Sequence, residues 1–254
     1  RIKKSRLSEY ARINRNGKYA LKFADGESDT LVSVRPATDL DHVVLVSAHG
    51  NACRFMPAEK KTRVSQETGE TMTTYVVRVQ GRVSQGVSGM KLVGDDKVIG
   101  MIVTEDFDTS VLTISKYGMA KRSRLGSGEM IALSEEGEQV LDEEGDQMFE
   151  RDGYRKTNRG TKGVRTMSLR DDDEIVSVRQ IPDLEDQLFM LTESGMMIRM
   201  ISGQTKETLG KVTKGTRIME LRNRERTGYV DEIVFVARLP SELISAGEAV
   251  GEEE

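Results

Sequence analysis

One pattern recurs four times in this chain and limits what it can become. Asn158 to Leu169 reads NRGTKGVRTMSL and is followed by an acidic turn, Asp171 to Glu174, and an apolar run, Ile175 to Val178. Leu209 to Leu221 repeats it closely, and Val83 to Leu92 and Asn14 to Phe23 repeat it more loosely. Four copies mark a repeat protein, in which each unit covers its apolar faces against its neighbours.

A second element rides on the first. Asp41 to Phe55, Ser110 to Arg122 and Asp186 to Met200 each run apolar, turn through a glycine, and run apolar again. Gly17 to Gly50, Gly86 to Gly118 and Gly163 to Gly195 span 33, 32 and 32 residues, whereas the step to the next unit varies between 36, 45 and 20. Insertions are therefore confined to one junction, and the bare repeat is 52 residues.

No stretch sustains a helical stripe. The valine-rich runs bounded by Gly, Asn and Asp read as short strands, and four strands in about fifty residues predict an all-β, propeller-like array of four-stranded blades. WD-type blades are excluded because the chain has no tryptophan. The expected repeat domain covers 1–240, with units at about 8–55, 81–123, 157–200 and 208–237 and insertions at 56–80 and 134–156. Leu31 to Val34 and Val43 to Val46 are expected strands, each covered on both faces, and Thr71 to Val79 is expected to be a strand that rejoins the scaffold. Arg1 to Leu7 reads as the closing strand of a unit whose beginning is absent, so the chain resembles a fragment. Residues 241–254 form an acidic tail whose composition predicts disorder.

The net charge of −4 argues against a nucleic-acid partner until it is localised. Ser134 to Gly153 carries nine acids against Arg151, and Glu242 to Glu254 carries five more. Without these two segments the scaffold carries +9. Its cations recur in register. Arg54, Arg122 and Arg199 each stand four residues past a second-element glycine, and Arg122 follows Lys121 much as Lys4 follows Lys3. Lys162 and Lys214 precede a first-element glycine, Arg165 and Arg217 follow it by two, and Arg159 and Lys211 lie just upstream. Arg15 and Lys18 flank Gly17. Side chains at one blade position point the same way in every blade, so these residues are expected to form a basic arc that binds duplex DNA through its phosphates. The competing reading makes each of them an ordinary solvated face. A protein-interaction propeller, whose acidic insertion and tail take a basic partner, is the alternative function.

Other chemistry is sparse. Cys53 is the single cysteine, so an internal disulfide is excluded and a buried, inert thiol is expected. His42 and His49 match no zinc spacing with it. No apolar run reaches eighteen residues and no signal peptide opens the chain, which leads to the expectation of a cytoplasmic protein without a membrane partner.

The residues resemble the C-terminal domain of the DNA gyrase A protein and its relative in topoisomerase IV. The resemblance rests on Leu7 to Tyr10, Asn158 to Val164, Lys116 to Arg122, Thr192 to Gly195 and the acidic tail. It implies a β-pinwheel, a six-bladed disc whose blades exchange a strand and whose basic rim wraps DNA, with the four units here similar to blades three to six. It further implies a parent type II topoisomerase that cleaves DNA through a tyrosine elsewhere and hydrolyses ATP on its other polypeptide, with the rest of gyrase A and the gyrase B protein as partners at the bacterial nucleoid. Catalysis and cofactors are not expected in this stretch, because the repeats account for Tyr10, Tyr19, Tyr75, Tyr117, Tyr154 and Tyr229. The Gln-Arg-Arg-Gly-Gly-type box that gyrase A domains carry in their first blade is absent from these residues.

Overall fold

The structure is a computed structural model, and it describes all residues except 24–28, 66–68, 133, 135, 137, 146, 151, 171, 209–212, 222, 225–228 and 245–254. Along the chain the first strands are β1 (His42–Ser47), β2 (Asn51–Phe55), β3 (Lys60–Val64), β4 (Thr71–Tyr75), β5 (Val98–Thr104) and β6 (Ser110–Ser115). They are followed by β7 (Met119–Arg124), β8 (Met130–Ile131), β9 (Phe149–Glu150), β10 (Val164–Arg165), β11 (Ile175–Ile181) and β12 (Gln187–Thr192). The last are β13 (Met197–Ile201), β14 (Thr216–Arg217), β15 (Asn223–Arg224), β16 (Tyr229–Val230) and β17 (Ile233–Leu239). Helix among the described residues is limited to two 3₁₀ turns, Leu7–Tyr10 and Ser202–Gln204, and one helical turn at 241–244.

Three antiparallel sheets carry the repeat, in the orders β10-β2-β1-β5, β11-β6-β7-β14 and β13-β12-β17. Each is assembled from more than one unit. The second element supplies a hairpin, the next unit supplies an inner strand, and the unit after that supplies the fourth strand. Because β5 touches β11 and β11 touches β17, these strands face one another across the inner side, so β10 and β14 lie at the far edges of their sheets. Among the described residues β13 has no such fourth strand.

The motif residues now have physical causes. Gly163 and Gly215 adopt φ 77°, and a Cβ would stand 2.1 Å from the Ala52 carbonyl oxygen in the first case and 2.2 Å from that of Ala120 in the second. Only glycine permits both the left-handed turn and that approach, which lets Val164 pair with Ala52 and Thr216 with Ala120. The acidic turns serve the hairpins. Asp96, Asp173 and Asp231 accept from the backbone N–H of His49, Tyr117 and Ser194 at 2.9, 3.3 and 3.1 Å, each from two residues before an inner strand.

The core lies between sheets. Val44, Val46, Ile102, Val111 and Ile175 join the first two blades, and Leu112, Ile114, Leu188, Met190 and Ile233 join the second to the third. A third cluster sets Val43, Leu45 and Cys53 against Val76, Val77 and Met90 with Ile2 beside them. A strand between two sheets is covered on both faces, which is why all six residues of β1 are buried. Each such branched side chain contributes roughly 1.5–3 kcal/mol.

Three expectations are corrected. Thr71 to Val79 does not rejoin the scaffold as a strand: among the described residues β4 pairs only with β3, and it is Val76 and Val77 beyond it that pack into the third cluster. Leu31 to Val34 is not a strand, and Leu31, Val32 and Val34 are 58%, 48% and 71% exposed. The corresponding β5, β11 and β17 pair with β1, β6 and β12, and no described stretch supplies such a partner for Leu31 to Val34. Ser241, expected within a disordered tail, is tied down: its N–H donates to Asp186 at 3.0 Å and its hydroxyl to Asp183 at 2.6 Å. The tail from 245 onward lies outside the described residues.

Candidate nucleic-acid interface

The outermost strands carry the cleanest basic pairs. Lys162 and Arg165 on β10 and its turn are exposed, as are Lys214 and Arg217 on β14 and its turn. The turns are linked along this edge. Lys91 donates its backbone N–H to the Thr161 carbonyl at 2.9 Å, and Ser168, its equivalent one unit on, donates to Thr213 at 3.1 Å. Successive outer strands therefore form one chain of contacts, and exposed Lys91 adds a cation that the repeat pattern did not single out.

Several candidates are not on that edge. Arg54, Lys121 and Arg122 are buried, at 1%, 2% and 8% exposure. Arg54 donates through Nη1 to the carbonyls of Leu125, Gly126 and Tyr154 at 3.0, 2.8 and 2.8 Å. Its guanidinium carbon lies 4.8 Å from the Phe107 ring centroid, which offsets the lack of a partner for Nη2 among the described residues. Arg122 donates to the Thr205 carbonyl and pairs with Glu207 at 2.9 Å, while Lys121 donates to the Thr166 carbonyl at 2.7 Å. Arg54 and Arg122 clasp the segments that lead toward the outer strands, and Lys121 holds the residue just past β10, so the recurrence of the two arginines in register has a structural cause.

Arg199 is exposed and stacks over Phe189 at 5.9 Å. It lies on β13, which has no fourth strand beside it among the described residues. Lys3 and Lys4 are half-buried; Lys3 donates to the carbonyls of Ala20 and Arg82, and Lys4 pairs with Asp39 at 2.5 Å. Desolvation lowers the Lys3 pKa, partly opposed by Glu9. Half-buried Arg159 donates from Nε to the Val76 carbonyl at 2.8 Å. Arg15 and Lys18 are exposed but lie outside any strand, and Lys211 falls outside the described residues.

Burial also sets the charge state behind the edge. His42 accepts from Arg54 Nε through Nδ1 at 3.2 Å, and desolvation together with that cation lowers its pKa to about 4. Desolvation lowers the Arg54 pKa to about 10, so the pair is a neutral imidazole beside a guanidinium at neutral pH. Among the described residues no helix is long and apolar enough to cross a membrane.

A family profile described as the DNA gyrase C-terminal domain, beta-propeller, matches residues 1–38, 71–105, 149–182 and 186–227, more than half of the chain. The chain is 29% identical over 252 residues to the DNA gyrase A protein of Metamycoplasma arthritidis, covering 99% of this chain and 22% of that relative. The DNA gyrase A protein of Rickettsia prowazekii is 28% identical over 253 residues, covering 91% of this chain and 26% of its own length. The chain thus spans about a quarter or less of these relatives. In fold it is similar to the C-terminal domain of DNA topoisomerase IV, with a TM-score of 0.67 at 17% identity over 97% of this chain and 62% of that one. The E. coli ParC C-terminal domain gives a TM-score of 0.52 at 16% identity over 87% and 71%. With its strand-exchanging sheets and this profile, the chain belongs to the family of DNA gyrase C-terminal domains.

Proposed function

We propose that this chain is a non-catalytic domain that binds and wraps duplex DNA for a type II topoisomerase of the gyrase kind. The observation that carries the reading is the repetition of one exposed pair, Lys162 with Arg165 and Lys214 with Arg217, on the outermost strands of consecutive blades. Cations on the outer edge of linked blades meet the phosphates of a bent duplex one after another, and they read no sequence. Phosphate neutralisation along a curved edge offsets part of the cost of bending. Strand cleavage, ATP hydrolysis and assembly with the rest of gyrase A and with a gyrase B protein belong to the whole protein in this proposal, as does a location at the nucleoid.

Ligation of nicked circular DNA in the presence of the chain tests wrapping. A shift in the linking-number distribution that grows with protein and disappears at high salt is the expected result. Duplex binding with no shift would reduce the proposal to DNA binding alone, and no salt-sensitive binding would remove it.

A further inference from the structure

Between β2 and the next unit the chain leaves the repeat and makes a two-stranded ribbon, β3 with β4, that joins none of the three large sheets. Its register is unbroken, from Lys60 opposite Tyr75 to Val64 opposite Thr71. Alternation places Lys60, Thr62, Val64, Thr71, Thr73 and Tyr75 on one face, and all six are exposed. Val64 and Tyr75 are 64% and 48% exposed there, and Met72 on the other face is 68% exposed. A lone hairpin with such a surface is marginal by itself. It is held at its root, where Val76 donates to Glu59, Val77 donates to Pro57, and both valines are buried.

The root meets the outer edge. Lys61 Nζ donates to Asn158 Oδ1 at 2.5 Å, and the neighbouring Arg159 reaches back to the Val76 carbonyl at the end of β4. Asn158 and Arg159 open the turn that carries Lys162 and, with Thr161, receives the backbone of Lys91. The ribbon therefore starts beside the first of the basic outer turns.

We propose that this ribbon is a second contact for duplex DNA, a feature of this chain that the repeat does not supply. The inference rests on the proposed DNA-binding function. Lys60 provides a cation for phosphates, and on the same face the hydroxyls of Thr62, Thr71 and Thr73 provide donors of the kind that bind phosphate oxygens. Val64 and Tyr75 provide apolar surface for sugars, and a two-stranded ribbon has the dimensions of an element that enters a DNA groove. A duplex leaving the outer strands at Lys162 meets the ribbon next, which lengthens the protected DNA without adding a blade.

The test compares four forms of the full chain on one long duplex: the parent, Lys60→Ala, Thr62→Val with Thr73→Val, and Lys162→Ala with Arg165→Ala. Fluorescence anisotropy over a salt series gives affinity and slope, hydroxyl-radical footprinting gives the protected length, and thermal unfolding confirms that each form is folded. The Lys60 variant is expected to lose about two- to fivefold in affinity at low salt, to flatten the slope by about 1, and to shorten the footprint at one end only. Thr62→Val with Thr73→Val, which leaves the charge and the Asn158 contact in place, is expected to weaken binding by a smaller factor. If the edge variant binds more weakly while both ribbon variants match the parent in affinity, slope and footprint, the ribbon does not touch DNA. A parent that shows no salt-dependent duplex binding overturns the DNA-binding function itself and the ribbon contact with it.

Discussion

Arg122 donates from Nε to the Thr205 carbonyl at 2.8 Å, and Arg54, four residues past its own glycine just as Arg122 is, donates to the Tyr154 carbonyl at the same distance. The backbone repeats the parallel. Thr157 donates its N–H to the Arg54 carbonyl and Thr208 donates its own to the Arg122 carbonyl, at 2.6 and 2.9 Å. One buried guanidinium in each of these two blades thus fastens the strap that delivers the fourth strand.

Removing either clasp is expected to act on stability. Arg54→Ala takes its donor from the Gly126 and Tyr154 carbonyls, and Arg122→Ala takes its donor from the Thr205 carbonyl, at a cost of about 1–3 kcal/mol per carbonyl. Arg199→Ala, on an exposed surface, is expected to change stability by less than about 0.5 kcal/mol. Chemical denaturation of the three variants checks this, and equal losses for all three would contradict it.

The glycines separate in the same way. Gly163→Ala meets both a left-handed backbone and a carbonyl at 2.1 Å, so a loss of more than about 3 kcal/mol is expected. Gly195, at φ 83° with nothing within 4 Å of its virtual Cβ, carries only the conformational penalty of about 1–2 kcal/mol. Urea midpoints for the two alanine variants decide it.

Much of this architecture was legible because each motif residue answers a backbone need. Gly163 and Gly215 mark the close approach of an outer strand, and Asp173 and Asp231 mark the hairpin turns. Arg54 and Arg122 misled for a related reason. Position in a repeat fixes the direction of a side chain but does not say whether another segment lies over it, and the covering residues, Tyr154 and Thr205, come from the junctions that lead into later units. Leu31 to Val34 has strand composition, but composition cannot supply a partner strand. Lys91 escaped notice because its role follows from the contact with Thr161, which periodicity within one unit does not reveal.

Stability is expected to fall as pH drops from 6.5 toward 4. The unfolded chain protonates His42 near its ordinary value of 6.5, whereas the fold delays protonation to about 4. Between these values the unfolded state binds more protons, so the stabilisation present above 6.5 is lost on acidification through this window. His42→Asn is expected to remove that part of the pH dependence in thermal unfolding scans. An unchanged profile would show that other groups dominate this window.

The acidic segments are predicted to compete with DNA for the outer edge. Asp152 must be kept in any shortening, since it accepts from the Ser127 N–H at 2.7 Å and lies 3.6 Å from Arg124. Deleting 246–254 and, separately, replacing 135–146 by a short turn that leaves β8 and β9 paired are each expected to tighten duplex binding several-fold at low salt and to have no effect at high salt. Superimposable titrations at low salt would show that the two segments act only on solubility.

The central claim is that the exposed pairs on the outermost strands hold the DNA. Its most direct test is the salt dependence of duplex binding for the parent and for the quadruple variant Lys162→Ala, Arg165→Ala, Lys214→Ala, Arg217→Ala, all four on exposed surface. The account predicts that the variant folds with unchanged stability, binds at least about tenfold more weakly at low salt, and flattens the slope of log affinity against log salt by about 3 to 4. A folded variant whose titrations coincide with those of the parent across the salt series would contradict it.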